Sequence, residues 1–437
     1  MGIKRIGIIV GGGPAPGINA VIGAATIEAL NRGIDVLGFY EGFRWLSSDA
    51  FDPDLHTTAL RISDVARIHW DGGSILRTAR TSLLDKARLR EHTMASPDAE
   101  RVRRVLANLR LTGIDALITI GGDDTALSAR FVCDSSEREI RLAHVPKTID
   151  NDLPLPHDVP TFGFSTARFL GTQLVKNLMQ DSQTTGRWYL VESMGRSAGW
   201  LAQSIGMSAG ATLTLIPEEF EENAKVQNIL DVIEGAIIKR RVMGRPDGVA
   251  ILAEGLAYKL GDADELSKLL GRPVPLDAAG HPRLSEVNLV NLLKNELQAR
   301  FAARGQTLEV VDHELGYELR CADPTPYDMA YCRSLGYFAV ELLRTADQPP
   351  AAMVSVVNGN LTPIDLHDMI DPKTNRTRVR MVDLKSDSYR IARAYMIRLE
   401  PADLDDPERL RALAKEANMA PDEFERKFRR AATRRDL

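Results

Sequence analysis

Short apolar runs recur along the chain, each followed by a glycine-rich or acidic turn and then by a longer amphipathic segment. Ile6 to Val10 predicts a buried strand, Gly11-Gly12-Gly13 with Pro14-Ala15-Pro16-Gly17 a loop, and Ile18 to Leu30 a helix. Further strands are expected at Asp35 to Tyr40, Ile114 to Ile120 and Arg141 to Val145, with an irregular stretch from Arg44 to Ile68 and a helix-rich one from Asp85 to Leu111. Beyond Asp152 the pattern starts again: helix Arg168 to Gln180, strand Arg187 to Glu192, helix Arg196 to Ser208, strand Ala211 to Ile216, helix Glu222 to Arg240, strand Gly248 to Ala253. Strands that alternate with helices predict parallel sheets covered by helices on both faces. Residues from about Leu260 to Arg283 read as an insertion punctuated by Gly and Pro. The segment Asp403 to Leu437 is charge-rich and helical in pattern, and its plain reading is a solvated or subunit-covering pair of helices.

Composition narrows the class. At 437 residues the chain exceeds what one core usually supports, so two domains are expected. With 44% hydrophobic and 26% charged residues it is an ordinary globular protein rather than a disordered one. A net charge of −5 offers no basic surface for nucleic acid. Cys133, Cys321 and Cys332 form no CxxC and are odd in number, which speaks against a disulfide framework or structural zinc and for a reducing, cytoplasmic location. The first apolar stretch is broken by glycine and proline, unlike a signal peptide, and no apolar run approaches the roughly 18 residues needed to span a bilayer.

Two stretches carry chemistry. Gly121-Gly122-Asp123-Asp124-Thr125 and Pro146-Lys147-Thr148-Ile149-Asp150-Asn151-Asp152 both follow predicted strands, at the carboxyl ends where α/β proteins place ligand sites. Four carboxylates and a lysine in two loops would repel and strain one another in a packing role. They suit a metal-bound polyanion and a catalytic carboxylate, hence phosphoryl transfer. Asp123 is the candidate Mg²⁺ ligand, because a carboxylate suits a hard cation. Asp150 is the candidate general base, with Thr148 and Asp152 positioned to orient it and the substrate hydroxyl. The glycine loop Gly11–Gly13 could present free backbone N–H groups to a phosphate. Arg196, expected to open a helix after Met194-Gly195, would face an anion with both its guanidinium and the helix N-terminus. Arg80, Arg187 and Arg320 are further phosphate-clamp candidates. His69, His144 and His157 show no metal-ligand spacing and read as ordinary core or surface residues.

In combination these motifs resemble the phosphofructokinase family, from Gly11 to about Asp365. Thr148-Ile149-Asp150-Asn151-Asp152 resembles its catalytic loop, which implies that Asp150 takes the 1-hydroxyl proton of fructose 6-phosphate. Met194-Gly195-Arg196 resembles the motif whose arginine stabilises the transferring group and whose backbone binds the sugar. Glu254 matches the sugar-binding glutamate. Leu315-Gly316-Tyr317-Glu318-Leu319-Arg320 resembles the segment gripping the 6-phosphate, which implicates Tyr317 and Arg320. Arg187, seven positions before Met194, matches an arginine that reaches into the neighbouring subunit, so a homodimer or homotetramer with shared active sites is implied. The family also implies Mg²⁺, two doubly wound parallel-sheet (Rossmann-like) subdomains with the active site in the cleft between them, and Gly12, Gly13, Arg80 and Gly122 on the phosphoryl donor. On this pattern residues 1–160 with about 318–390 form the donor subdomain, 161–317 the sugar-phosphate subdomain, and 391–437 a helical tail.

Two positions bear on the donor. ATP-using members carry glycine where this chain has Asp124 and Lys147, whereas pyrophosphate-using members carry Asp and Lys. A carboxylate at 124 puts bulk and negative charge where an α-phosphate of ATP would lie, and a lysine at 147 adds a cation beside a smaller donor. Tyr317, where bacterial ATP enzymes carry histidine, points the same way, so pyrophosphate is the expected donor. Val311 replaces a second cross-subunit arginine of those enzymes, and Gly23 and Ile27 replace two effector-site arginines, so their allosteric control is not expected here. The remaining readings are an ATP-dependent enzyme of the same family, a kinase that also accepts sedoheptulose 7-phosphate, and a silent sugar-phosphate-sensing subunit. The presence of Asp123, Asp150 and Arg196 speaks against the last. NAD kinases and lipid kinases share a Gly-Gly-Asp loop but lack the Met-Gly-Arg and Gly-Tyr-x-x-Arg segments.

Overall fold

A computed structural model describes residues 2–85, 94–156, 159–260, 267–268 and 288–433. His157, part of the Asp85 to Leu111 stretch and nearly all of the 260–283 insertion lie outside the described residues. The strands used below are, in chain order, β1 (Arg5–Val10), β2 (Asp35–Phe39), β3 (Thr57–Ala59), β4 (Ala116–Gly121), β5 (Arg141–Thr148), β6 (Phe162–Gly163), β7 (Trp188–Ser193), β8 (Leu213–Leu215), β9 (Gly248–Ala253), β10 (Val310–Leu315) and β11 (Ala351–Met353). The chain divides into two compact units, Met1–Ala167 with Tyr317–Arg380, and Arg168–Gly316 with Met381–Leu437.

The first unit is built on a sheet that runs, edge to edge, Ile364–Asp365, β11, β5, β4, β1, β2, β3, with β6 beside the end of β5. Its central strands are parallel, but β3 pairs antiparallel with β2, and Ile364–Asp365 antiparallel with β11. The expected parallel sheet thus carries one short antiparallel strand at each edge, where a return strand needs no crossover helix. The period-2 alternation of each strand sends Ile6, Ile8 and Val10 into one core and Ile9 into the other. Likewise Ala116, Ile118 and Ile120 separate from Leu117, and Ala143 and Val145 from Leu142. Helices Ile18–Asn31 and Pro326–Arg344 cover the first face, and Ala99–Leu111 and Asp123–Ser135 the second. Burying side chains of this size is worth about 1.5–3 kcal/mol each, which is why both faces are sealed.

β5 runs on through Pro146, Lys147 and Thr148, beyond its predicted end at Val145. The reason is β6: Lys147 pairs with Phe162 and Thr148 with Gly163, a contact no local pattern announces.

The second unit has a four-stranded, all-parallel sheet in the order β10, β7, β9, β8. The helix after the Met-Gly-Arg segment starts at Trp200, not at Arg196. The next starts at Val226 rather than Glu222. The charged tail differs most from expectation. Helices Pro401–Asp405, Pro407–Glu416 and Pro421–Ala432 put Leu404, Leu413, Phe424 and Phe428 into the same core as Leu190, Ile233 and Leu252. Most of their charged positions are exposed, although Asp403 is buried and Lys427 reaches inward to Glu234, while their leucines and phenylalanines fill the core of the unit. Among the described residues no helix is long and apolar enough to cross a membrane.

Candidate active site

In the first unit the carboxyl ends of β1, β4 and β5 gather the predicted donor residues. The loop after β1 does not offer the row of free amides expected from its glycines. Gly11 N–H donates to Ile120 O at 2.9 Å and Gly12 N–H to Ala79 O at 3.0 Å. Gly11 and Gly121 are glycines for space, since a Cβ on either would lie 2.4 Å or less from Thr125 side-chain atoms. What the loop supplies is closeness to cations. Lys147 Nζ donates to the Gly13 carbonyl. A Cβ on Gly12 would stand 3.2 Å from that ammonium, and one on Gly13 would stand 3.5 Å from Arg320 Cζ and 3.7 Å from an Arg80 guanidinium nitrogen.

Lys147 is only 4% exposed. Burial pushes its pKa down to about 8; Asp150 and Asp123 oppose that shift, while Arg320 and Arg80 add to it. The same four side chains are thus its electrostatic surroundings, and two arginines beside a desolvated lysine form a pocket of positive charge that a polyanion would neutralise. Asp123 and Asp124 are exposed on the first turn of the helix Asp123–Ser135, with Gly122 as its N-cap. Tyr317 is 78% exposed, with Arg320 Cζ 5.1 Å from its ring centroid.

Asp150 is half-buried, and its N–H donates to Thr148 Oγ1 at 3.1 Å. The residues after it are strapped from both sides. Thr161 donates its N–H to Asn151 Oδ1 at 3.0 Å and its hydroxyl to Thr148 O at 2.7 Å. Arg380 donates its backbone N–H to Asp152 O at 2.7 Å and its guanidinium to Asn151. Among the described residues no group of three or more His, Cys, Asp or Glu side chains could hold a metal ion.

In the second unit Met194, Gly195 and Arg196 leave the end of β7 as an irregular loop. Gly195 has φ +136°, which bars a side chain there. Its N–H donates to Glu254 Oε2 at 3.3 Å, Gly255 N–H returns to Gly195 O at 3.1 Å, and Met194 N–H donates to Leu315 O at 3.0 Å. The loop is therefore stretched between the ends of β9 and β10, and this tethering delays the helix to Trp200. Arg196 is exposed on the loop and has no helix N-terminus behind it, so the dipole contribution expected for it is absent. Arg187 precedes β7 at the opposite end of the strand. Seven residue steps at about 3.3 Å each put it roughly 23 Å from Met194. The structure thus separates Arg187 from its own chain's Met-Gly-Arg loop.

A phosphofructokinase family model matches residues 5–343. This chain belongs to the phosphofructokinase family. Pyrophosphate--fructose 6-phosphate 1-phosphotransferase of Thermotoga maritima is 50% identical over 426 residues, which cover 97% of this chain and 98% of that protein. The protein of the same name from Naegleria fowleri is 42% identical over 435 residues, covering 98% and 95%. The crystal structure of a pyrophosphate-dependent phosphofructokinase from Marinobacter aquaeolei matches with a TM-score of 0.62 over 96% of this chain and 92% of that one, and at 17% identity it speaks for the fold. The two sheet-based units are accordingly the phosphofructokinase fold.

Two residues escaped the sequence reading. Arg380 lies beyond the resembling segment and 229 residues from the loop it binds, so no motif spacing could reveal it. Glu192 sits on β7 level with Glu314 on β10. Burial, then Glu314 and Glu254, push its carboxyl up to about 7. Its position two before Met194 was the available signal.

Proposed function

We propose that this phosphofructokinase transfers a phosphoryl group reversibly from pyrophosphate to the 1-hydroxyl of fructose 6-phosphate, giving fructose 1,6-bisphosphate and phosphate, as a step of glycolysis and gluconeogenesis. One observation carries the donor assignment. A buried lysine is bonded to Gly13 and flanked by Arg80, Arg320, Asp123 and Asp150, at the position where the family pattern implies glycine in ATP-using members. The names of two relatives matched over nearly their whole length support the same reading.

Asp150 accepts the hydroxyl proton as the oxygen attacks, held by Thr148. Lys147 and Arg196 stabilise charge on the transferring group. Arg80, Gly12, Gly13 and Gly122 shape the donor seat, and Asp124 denies an α-phosphate its space. Arg320 and Tyr317 take the sugar 6-phosphate, and the placement of Arg320 over Gly13 extends its reach to the donor. Met194, Gly195 and Glu254 bind the sugar: Glu254 spends one oxygen on the Gly195 amide and keeps the other for a sugar hydroxyl. Asp123 would hold Mg²⁺, which when bound neutralises the pyrophosphate and orients it. Asp152 supports the loop. Arg187, remote from its own Met-Gly-Arg loop, completes the 6-phosphate clamp of a neighbouring subunit, so the active form is a homodimer or homotetramer. Three unpaired cysteines fit a cytoplasmic enzyme.

Initial rates with pyrophosphate and ATP side by side, on fructose 6-phosphate and sedoheptulose 7-phosphate, test the reading. A clear preference for pyrophosphate with fructose 6-phosphate is expected. Preference for ATP would overturn the donor assignment, and preference for the longer sugar the acceptor assignment.

A further inference from the structure

Arg380 stands outside the residues matched by the family model and closes on the loop that follows the proposed base. Its Nε donates to Asn151 O at 3.2 Å, and Nη2 donates to the same carbonyl at 2.9 Å and to Asn151 Oδ1. Its Nη1 donates to Val159 O at 2.9 Å, and its backbone N–H to Asp152 O at 2.7 Å. All three guanidinium nitrogens are therefore spent on one short stretch of backbone. Asn151 has φ +56°, the left-handed turn conformation that asparagine adopts more readily than other side chains, and the Arg380 bonds fix it there. That residue directly follows Asp150, so anchoring it anchors the peptide that carries the Asp150 side chain. Thr161 secures the near side of the loop through Thr148 O and Asn151 Oδ1, and Arg380 is the counterpart from a distant part of the chain.

We propose that Arg380 is the positioning residue of the catalytic loop: its planar fork locks Asn151 and the Val159 carbonyl, beside the backbone bond to Asp152, so that Asp150 is held aimed at the acceptor hydroxyl. The inference rests on Asp150 being the general base. A lysine could supply the charge but not the fork, since its ammonium is a point donor.

The test is steady-state kinetics on the full-length enzyme with Arg380→Met, Arg380→Lys and Asp150→Asn, each checked for folding by melting temperature. A misplacement of about 1 Å costs on the order of 10²-fold. Arg380→Met should therefore lower kcat by roughly 10- to 10²-fold while leaving KM for pyrophosphate and fructose 6-phosphate within about threefold, and Arg380→Lys should recover only part of the loss. Millimolar guanidinium should restore part of kcat to Arg380→Met and none to Asp150→Asn. If Arg380→Met fails to fold, Arg380→Lys, which keeps the stem and the charge, carries the test alone, with a fall of about tenfold expected from loss of the fork. Wild-type kcat in the folded Arg380 variants, or raised KM for both substrates at unchanged kcat, would overturn the inference while leaving the base assignment intact. An Asp150→Asn enzyme that keeps its kcat would instead overturn the base assignment, and this inference with it.

Discussion

At the scale of residues, the proposed choice of donor rests on Asp124 and Lys147. Lys147 is a cation held at a cost. Burial, with Arg320 and Arg80, lowers its pKa to about 8 against the opposing pull of Asp150 and Asp123. It is charged below that pH and neutral above, so kcat/KM for pyrophosphate, which reports the free enzyme, should fall as pH rises through about 8. Lys147→Arg should remove that alkaline limb, because a guanidinium does not titrate there. A profile flat to pH 10 in the wild type would show that Lys147 charge does not govern donor use. Lys147→Gly should lower pyrophosphate turnover by roughly 10² to 10³, the size of losing one charged contact to a developing transition state. Asp124→Gly should admit measurable ATP turnover and harm pyrophosphate turnover, read as kcat/KM for both donors; unchanged values would refute the exclusion argument. Asp150→Asn should lower kcat by at least roughly 10² to 10⁴ with modest change in KM.

At the scale of elements, a buried charge and an apolar core together hold the tail. Glu234 is 0% exposed, on the helix Val226–Val242, and meets Arg300 at 2.7 Å, Arg304, and Lys427 of the tail at 2.9 Å. Burial acts to raise its pKa, but Lys427 and Arg304 outweigh it and hold the carboxyl below its ordinary value. Its stabilisation is therefore present above the usual carboxylate range and is lost as pH falls below it. Removing one partner of such a buried set costs about 3–5 kcal/mol, and Glu234→Ala should lower the melting temperature accordingly. Phe428→Ala, in the same core, should cost a similar 3–5 kcal/mol. A tail deletion that left stability unchanged would contradict both. In the first unit the helices Ile18–Asn31 and Pro326–Arg344 approach so closely that a Cβ on Gly336 would lie 2.5 Å from Val21 O. Gly336→Ala should destabilise by about 1–3 kcal/mol through overpacking.

At the scale of the whole molecule, the proposed role of Arg187 in a neighbouring subunit's 6-phosphate clamp can be tested directly. Mixing an Arg187→Ala subunit with an Asp150→Asn subunit should restore part of the activity through hybrid sites. No recovery despite demonstrated subunit exchange would argue for self-contained sites. Chelation should abolish turnover, and added Mg²⁺ should restore it, with little change in melting temperature, since the described residues build no metal cage on which folding could depend.

The hydrophobic pattern of the chain by itself determined its α/β class, most strand positions and the carboxyl-end stretches that hold Asp123, Lys147 and Asp150. Those are local signals: periodicity, β-branched runs and turn chemistry act over a few residues, and the family motifs sit inside them. Only the tertiary structure decided the burial of Lys147, because that depends on β6 lengthening β5 and on the glycine loop folding over the ammonium. It also decided that Gly11 and Gly12 spend their amides within the fold, that Arg196 rides a tethered loop, and that the charged tail is core. The hold of Arg380 on Asn151 spans 229 residues of sequence. Hydrogen bonds and desolvation are set by what lies nearby in space, and across such separations a linear pattern carries no record of proximity.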